Sequence, residues 1–236
     1  MKSKCSSVHS VDLDEKRKRM KILTIDTSDL SVVGLAEAEG EVRTVACEVS
    51  EDSRHHAETL TPMVQAVLGG VRPDAVVAGT GPAAFTGLRA GLVTARTLAR
   101  AWDVPLYGVS SLEALALAGS RLGYNNVVSV IDARRKELFV LRARPMSGDD
   151  VEILDGPRIV RPADLPEMLE ADPGQLVVAR DGLGLEGALV AQCAPDVMAS
   201  LALSHLTRSQ AGEDIDLGTE PQYLRRPDIQ GTPAGK

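Results

Sequence analysis

The feature that most constrains the fold is a set of three short strand patterns followed by alternating helical and strand patterns. Apolar segments at 21–26, 31–37 and 42–49 are separated by turn signals, which predicts an antiparallel meander. A helical pattern at 54–69 and a short apolar strand at 75–79 follow, and then a second helix to about 102 and a strand at 106–109. Together these segments predict the order β-β-β-α-β-α-β, which is an α/β arrangement.

The second half of the chain predicts further strands and helices. A helix follows residue 110, strands at 127–132 and 137–145 form a hairpin, and a strand lies at 175–179. Helices are predicted after 161 and up to about 209. In the helical pattern at 54–69, Pro62 predicts either a kink or a new helix that begins with Thr61 as its cap.

Cysteine usage and hydropathy bound the class of protein. Cys5, Cys47 and Cys193 are far apart and form no Cys-x-x-Cys pair, which indicates reduced thiols rather than a disulfide framework or a zinc site. No apolar run reaches about 18 residues, so no membrane span is expected. The first residues contain no apolar segment typical of a secretory signal. A cytoplasmic protein is therefore expected.

The charge distribution disfavours tight nucleic-acid binding by this chain alone. The formal net charge is −7, and residues 1–19 carry +3 of it, so the remaining residues carry −10. Aromatic residues make up only 3% of the chain, too few for a base-stacking platform. The basic stretch at 15–21 is either a solvated extension or a nucleic-acid-binding arm.

The stretch "GTGPAAFTGLRAG" at 79–91 admits two interpretations. It resembles a turn that enters a helix capped by Thr86, whose free N–H groups could bind a phosphate. However, Leu88 and Arg89 stand where a phosphate loop needs Lys and Ser/Thr, and Ala84 stands where a dinucleotide loop needs Gly. Small residues along the following helix favour close packing instead.

Four motifs together resemble the TsaB (YeaZ) family over about residues 20 to 226. They are "ILTIDTS", "GTGPAAFTGLRAGL", "SVIDARRKELF" and "PQYLR". The resemblance implies a subunit of the bacterial machinery that makes threonylcarbamoyladenosine next to the anticodon of tRNAs reading codons that begin with A. The family usually has Gly and Ser where this chain has Ala83 and Ala84, and this difference weighs against a ligand role for the loop.

The resemblance also implies the two-lobed fold of actin, sugar kinases and Hsp70, with a degenerate second lobe. We divide the chain into a disordered extension (1–19), a first lobe (20–105), a second lobe (106–224) and a flexible tail (225–236). In active members of that superfamily an Asp after the first strand helps to hold Mg²⁺ and phosphate. Asp26, Thr27 and Ser28 are therefore either a vestigial nucleotide site or a hydrogen-bonded turn.

Comparison with the paralogous catalytic TsaD family implies that no metal site exists here. That family has a His-x-x-x-His metal motif where this chain has Ser111 and Leu115. His55 and His56 are adjacent and cannot chelate together on a helix, and His9 and His205 are isolated. All four are expected to be surface or capping histidines. The resemblance therefore implies a pseudoenzyme that needs no cofactor, with ATP and metal on the catalytic partner; the alternative is an autonomous ATPase or peptidase.

The resemblance implies a partner surface on the first two helices, where a TsaD-type subunit would form a four-helix contact. The predicted interface comprises Met63, Ala66, Gly87, Gly91, Thr94, Ala95 and Leu98. The isolated chain would pair with itself as a homodimer. A TsaE-type ATPase is the other expected partner, and tRNA would be reached only through the complex.

One further motif, Asp132, Ala133 and Arg134, matches the family without an assigned role. Asp132 and Glu137 could face each other across the hairpin as a carboxylate pair. The basic residues between them favour ordinary ion pairing instead. The sequence leaves a structural role and a role at the partner surface equally open.

Overall fold

Two five-stranded sheets form the framework of the chain in the computed structural model, which describes residues 19–50, 56–83 and 85–225. The first sheet has the order β3-β2-β1-β4-β5. Its strands are β1 (Met20–Asp26), β2 (Ser31–Glu39), β3 (Glu41–Ser50), β4 (Ala75–Gly79) and β5 (Leu106–Val109). The first three strands pair antiparallel, while β4 and β5 continue the sheet in parallel with β1.

The second sheet has the order β10-β9-β6-β7-β8. Its strands are β6 (Val127–Arg134), β7 (Glu137–Ser147), β8 (Asp150–Val160), β9 (Gln175–Val178) and β10 (Leu189–Val190). The antiparallel hairpin of β6 and β7 is as predicted, and β9 pairs in parallel with β6. In chain order, each sheet is built first from three antiparallel strands and then from two further strands that continue the sheet in parallel with the first of them. The two halves therefore share one topology, and the predicted α/β class is confirmed.

Five α-helices cover the sheets within the described residues. They are α1 (His56–Leu68), α2 (Phe85–Trp102), α3 (Ser111–Arg121), α4 (Leu165–Ala171) and α5 (Pro195–Gln210). Pro62 lies inside α1, which continues through it as one helix, so no new helix begins at Thr61. The predicted helix after 161 consists of a short 3-10 turn followed by α4.

The side chains of the first sheet alternate between two cores, as the pleat of a strand requires. Leu23, Ile25 and Val76 pack beneath α1 and α2 on one face. Ile22 and Val77, one residue out of phase, pack on the other face with residues of α3, α5 and the second sheet. The helices α3 and α5 therefore lie between the two sheets, and α1 and α2 form an outer layer.

The boundary between the lobes differs from the predicted division at residue 105. Strand β5 pairs with β4 and completes the first sheet, and α5 packs mainly against the first sheet although it lies near the end of the chain. A single division at one residue cannot separate the two lobes, because the helix that follows β10 returns to pack on the first sheet.

The predicted extension and tail fall almost wholly outside the described residues. Arg19 and Arg225, the terminal described residues, form ion pairs with Glu37 and Glu137. No helix in the described ranges is long and apolar enough to cross a membrane.

Candidate functional site

Asp26 lies at the carboxyl end of β1, where a vestigial nucleotide site was considered. The side chain is buried, with 3% of the residue exposed. A Cβ atom added to Gly79, at the end of the neighbouring strand β4, would overlap Asp26 Oδ2. Gly79 is therefore required because a carboxylate packs directly against the backbone of β4, not because a phosphate must approach it.

Two hydroxyl groups surround the Asp26 carboxylate. The Ser28 hydroxyl donates to Asp26 Oδ2 at 3.1 Å, and its backbone N–H donates to Oδ1 at 3.1 Å. The Ser111 hydroxyl, at the start of α3, also donates to Oδ2, and the two serine oxygens lie 2.6 Å apart. Asp26 thus links β1 to α3, which supports the hydrogen-bonded turn over a metal- or phosphate-binding role.

The loop at 79–83 is bound to its surroundings by hydrogen bonds of its own backbone. Gly81 has a φ of +91°, a conformation that favours glycine, and its carbonyl oxygen accepts from the Ser111 N–H at 2.9 Å and from the Ser110 hydroxyl at 3.2 Å. The N–H of Thr80 donates to the Val109 carbonyl at 2.8 Å. These contacts support the packing interpretation of the loop.

The small residues of α2 face the interior of the subunit, which corrects the predicted partner surface. Gly87, Gly91 and Ala95 are buried against the first sheet and α1, and Met63 is buried on α1. A Cβ atom at Gly91 would overlap the Thr27 side chain. The spacing of four residues does mark a close-packed strip, but its neighbour at Gly91 is Thr27, in the turn after β1 of the same chain.

Of the other predicted interface residues, Thr94 and Leu98 line a groove between α1 and α2, and Ala66 lies on α1 outside that lining. Ala66 is exposed, and Thr94 and Leu98 are half-buried. The groove has a volume of about 500 Å³ and a largely apolar lining: Thr61, Val64, Gln65, Leu68, Gly70, Val71, Arg72, Thr94, Leu98 and Trp102. Val93 on the same helix is 60% exposed, and sequence analysis missed it because one buried face explained the helical pattern.

Arg180 connects the Asp132-Ala133-Arg134 motif to Asp29, which lies shortly after the Asp26 turn. Arg180 Nε is 3.1 Å from Asp29 Oδ1, and Arg180 Nη2 is 3.3 Å from Asp132 Oδ2. Arg134 Nη1 is 3.2 Å from the same Asp132 oxygen. Sequence analysis missed both Asp29 and Arg180, since nothing in the spacing relates residue 29 to residue 180.

Ion pairing rather than a carboxylate pair organises the hairpin. Asp132 binds Arg134 and Arg180, whereas Glu137 binds Arg225. Ala133 is buried, and its carbonyl oxygen accepts from Arg225 Nη1 at 3.4 Å. Burial raises the pKa of Asp29, although Arg180 opposes this effect. Asp29 Oδ2 is buried and has no hydrogen-bond partner among the described residues.

The positions that carry metal ligands in the TsaD family are enclosed in this chain. Ser111 and Leu115 are both completely buried, and Ser111 is bonded to Asp26. In the part of the chain that the structure describes, no three His, Cys, Asp or Glu side chains converge as a metal site requires.

His205 is buried, which corrects its prediction as a surface or capping residue. Its Nε2 lies 3.4 Å from Asp150 Oδ1 and 3.5 Å from Glu113 Oε2. Asp150 also accepts hydrogen bonds from the Ser204 hydroxyl at 2.6 Å and from Arg208 Nη1 at 2.9 Å. Burial acts to raise the pKa of Asp150, but hydrogen bonds from His205, Ser204 and Arg208 hold it at about 2. The cluster joins β8 to α5.

Comparison with known proteins accords with this architecture. The family model of TsaD, tRNA N6-adenosine threonylcarbamoyltransferase, matches residues 48–192. An uncharacterized protein of Mycobacterium tuberculosis is 34% identical over 224 residues, which cover 89% of this chain and 93% of that relative. The TsaB protein of Bacillus subtilis, named for tRNA threonylcarbamoyladenosine biosynthesis, is 28% identical over 87% of this chain and 94% of its own length.

A solved structure supports the same assignment as the relatives named TsaB. A Pseudomonas aeruginosa protein described as similar to the peptidase YeaZ has a TM-score of 0.66 and 26% identity, covering 87% of this chain and all of that one. The chain belongs to the TsaB (YeaZ) family. This membership confirms the resemblance found in the four sequence motifs. It also confirms the two-lobed fold, since YeaZ from the same organism has a TM-score of 0.65 at 24% identity.

Proposed function

We propose that this TsaB-family chain is a non-catalytic subunit of the complex that transfers a threonylcarbamoyl group to adenosine in tRNA. Relatives named TsaB in Bacillus subtilis and Escherichia coli carry the name of this biosynthesis. The observation that carries the proposal is Ser111. It occupies a metal-ligand position of the catalytic family, and here its hydroxyl is committed to Asp26 inside the fold.

The same geometry disfavours an autonomous ATPase or peptidase. Asp26 would have to leave its contacts with Ser28 and Ser111 to reach Mg²⁺, and opening a buried hydrogen-bonded carboxylate costs several kcal/mol. A metal on the catalytic partner, with ATP bound there, would supply the chemistry. This chain requires no cofactor of its own in the proposed role.

The groove between α1 and α2 is the proposed docking surface for a TsaD-type subunit. Thr94 and Leu98 line it, and Ala66 and Val93 add accessible apolar surface on the two helices. An accessible, largely apolar groove on an outer helical layer is typical of a protein–protein site. In the absence of the partner the same surface would form a homodimer, and a TsaE-type ATPase would join the assembled complex in the cytoplasm.

Reconstitution tests the proposal. The chain is mixed with a tagged TsaD-type subunit, a TsaE-type ATPase, ATP, a threonylcarbamoyl donor and tRNA. Co-elution with the tagged subunit and modification that requires both proteins are expected. Isolated chain should contain no stoichiometric metal, hydrolyse no ATP above background and modify no tRNA. Metal content near one per chain with ATP turnover by the isolated chain would establish the alternative instead.

A further inference from the structure

The turn after β1, the start of α2, the β6–β7 hairpin and the segment at 223–225 are joined by a ring of contacts that the proposed docking surface does not use. The Thr27 hydroxyl donates to the Gly87 carbonyl in the first turn of α2 at 2.8 Å. Two residues later, Asp29 pairs with Arg180, which pairs with Asp132 on the β6–β7 hairpin.

The segment at 223–225 completes the ring. Arg225 pairs with Glu137 and donates to the Ala133 carbonyl oxygen at the hairpin. Tyr223 stacks on Phe85 with 5.1 Å between ring centroids, and its hydroxyl accepts from Arg89 Nε at 2.8 Å. Phe85 and Arg89 belong to the first turns of α2, where the ring began. We refer to these residues, with the hairpin tip at 134–136, as the rim.

The hairpin tip presents three consecutive exposed cations. Arg134, Arg135 and Lys136 are the only run of three Lys or Arg residues in the sequence after residue 20. Their φ angles are 61°, 55° and 60°, a left-handed conformation that residues other than glycine adopt uncommonly. Ion pairs of the rim hold both ends of this turn, so the cations are displayed on a firmly held backbone rather than on a free loop.

The rim has the opposite charge to the rest of the protein. The rim contains six cations: Arg89, Arg134, Arg135, Lys136, Arg180 and Arg225. Counting the loop that follows Arg180, it contains five carboxylates: Asp29, Asp132, Glu137, Asp181 and Glu186. Six cations against five carboxylates give +1, whereas residues 20–236 together carry −10. A local excess of cations on an acidic body attracts a polyanion to that area in preference to the acidic surface around it.

We infer that the rim contacts the phosphate backbone of tRNA held by the assembled complex. This inference rests on the proposed function, since the acidic body would not hold tRNA without the partner. Helix α2 connects the two surfaces: Phe85 at the rim and Leu98 at the groove are about 20 Å apart at 1.5 Å per residue. The rim and the groove therefore lie within about 20 Å of each other along one helix of this subunit.

The test uses the complex of the full chain with the TsaD-type subunit and an unmodified tRNA transcript. The double variant Arg135→Asn with Lys136→Asn removes two charges, and asparagine tolerates the left-handed backbone at both positions. The control is Arg144→Gln, an exposed cation on the same strand β7 near its other end. Affinity is measured by fluorescence anisotropy between 50 mM and 300 mM salt.

The double variant is expected to weaken tRNA binding by about tenfold at low salt and to reduce the slope of log affinity against log salt by about 2. Co-elution with the partner and thermal unfolding of the lone chain should stay at wild-type values, and Arg144→Gln should change none of these.

Unchanged affinity in an assembled complex would overturn the inference. Loss of co-elution would overturn it too, because the rim would then be a protein-binding surface. If the wild-type chain does not co-elute with the TsaD-type subunit, the proposed function is wrong, and the inference about the rim, which depends on it, is wrong as well.

Discussion

Gly91 on α2 and Thr27 after β1 are in direct contact, and the hydrogen on the Gly91 Cα takes the place where any other residue would carry a Cβ. An added Cβ would overlap Thr27 Oγ1 and lie 3.1 Å from Cγ2. The same Thr27 hydroxyl donates to the Gly87 carbonyl one turn earlier. The pair fixes the distance between the outer helix and the first sheet, so a residue that looked like a partner contact is part of the subunit core.

Gly91→Ala is therefore expected to destabilise the isolated chain by about 1–3 kcal/mol, because α2 must move away from Thr27. Gly91→Arg should prevent folding, since it buries an unpaired charge as well. Thermal and urea unfolding of the isolated chain measure the stability of both Gly91 variants. The double variant Gly91→Ala with Thr27→Ala should lose less than the sum of its single variants, because Thr27→Ala creates space. Strict additivity would mean that the two residues do not touch.

Leu98→Arg should abolish assembly with the TsaD-type subunit while the lone chain keeps its unfolding temperature. The side chain is half-buried beside the α1–α2 groove, so an Arg reaches solvent in the free subunit and loses it in the complex. The matched control is Leu122→Arg, at a 60% exposed site after α3. Size-exclusion co-elution is the measurement, and normal co-elution of Leu98→Arg would place the interface elsewhere.

Asp26→Asn should lower the stability of the chain by about 1–3 kcal/mol without reducing tRNA modification by the assembled complex. The carboxylate accepts from Ser28 and Ser111, and an amide retains only one acceptor oxygen for them. Unfolding and modification rates are measured on the same preparation. An unchanged unfolding temperature with a large loss of modification would indicate a nucleotide role for Asp26.

Asp150→Asn should destabilise the chain by about 3 kcal/mol at neutral pH, because His205, Ser204 and Arg208 lose a buried anionic partner. The pKa of Asp150 is lowered from its ordinary 3.8 to about 2, so its contribution is complete above about pH 4 and disappears as the pH falls through 2. The advantage of the wild type over Asp150→Asn should therefore shrink between pH 4 and pH 2. The variant Asp149→Asn, at an exposed neighbouring carboxylate, serves as the control. If the stability difference between wild type and Asp150→Asn stayed constant from pH 4 to pH 2, Asp150 would not be the group that titrates.

The local pattern of the chain was sufficient to predict most of its elements. Strand alternation, helical spacing and turn residues depend on neighbours in sequence, so the meander at 21–49, the two outer helices and the hairpin after 126 were placed within a few residues. The four family motifs are likewise local, and they identified the family before any coordinate was considered.

Tertiary structure alone decided which face of each element meets which neighbour. The small residues of α2 mark a close approach whatever the neighbour is, and only the position of Thr27 shows that the turn after β1 supplies that neighbour. Gly79 faces Asp26 and Arg180 joins Asp29 to Asp132 across distances of tens to more than a hundred residues in the chain. Spacing in sequence carries no information about such contacts, because they exist only once the two sheets have closed around α3 and α5.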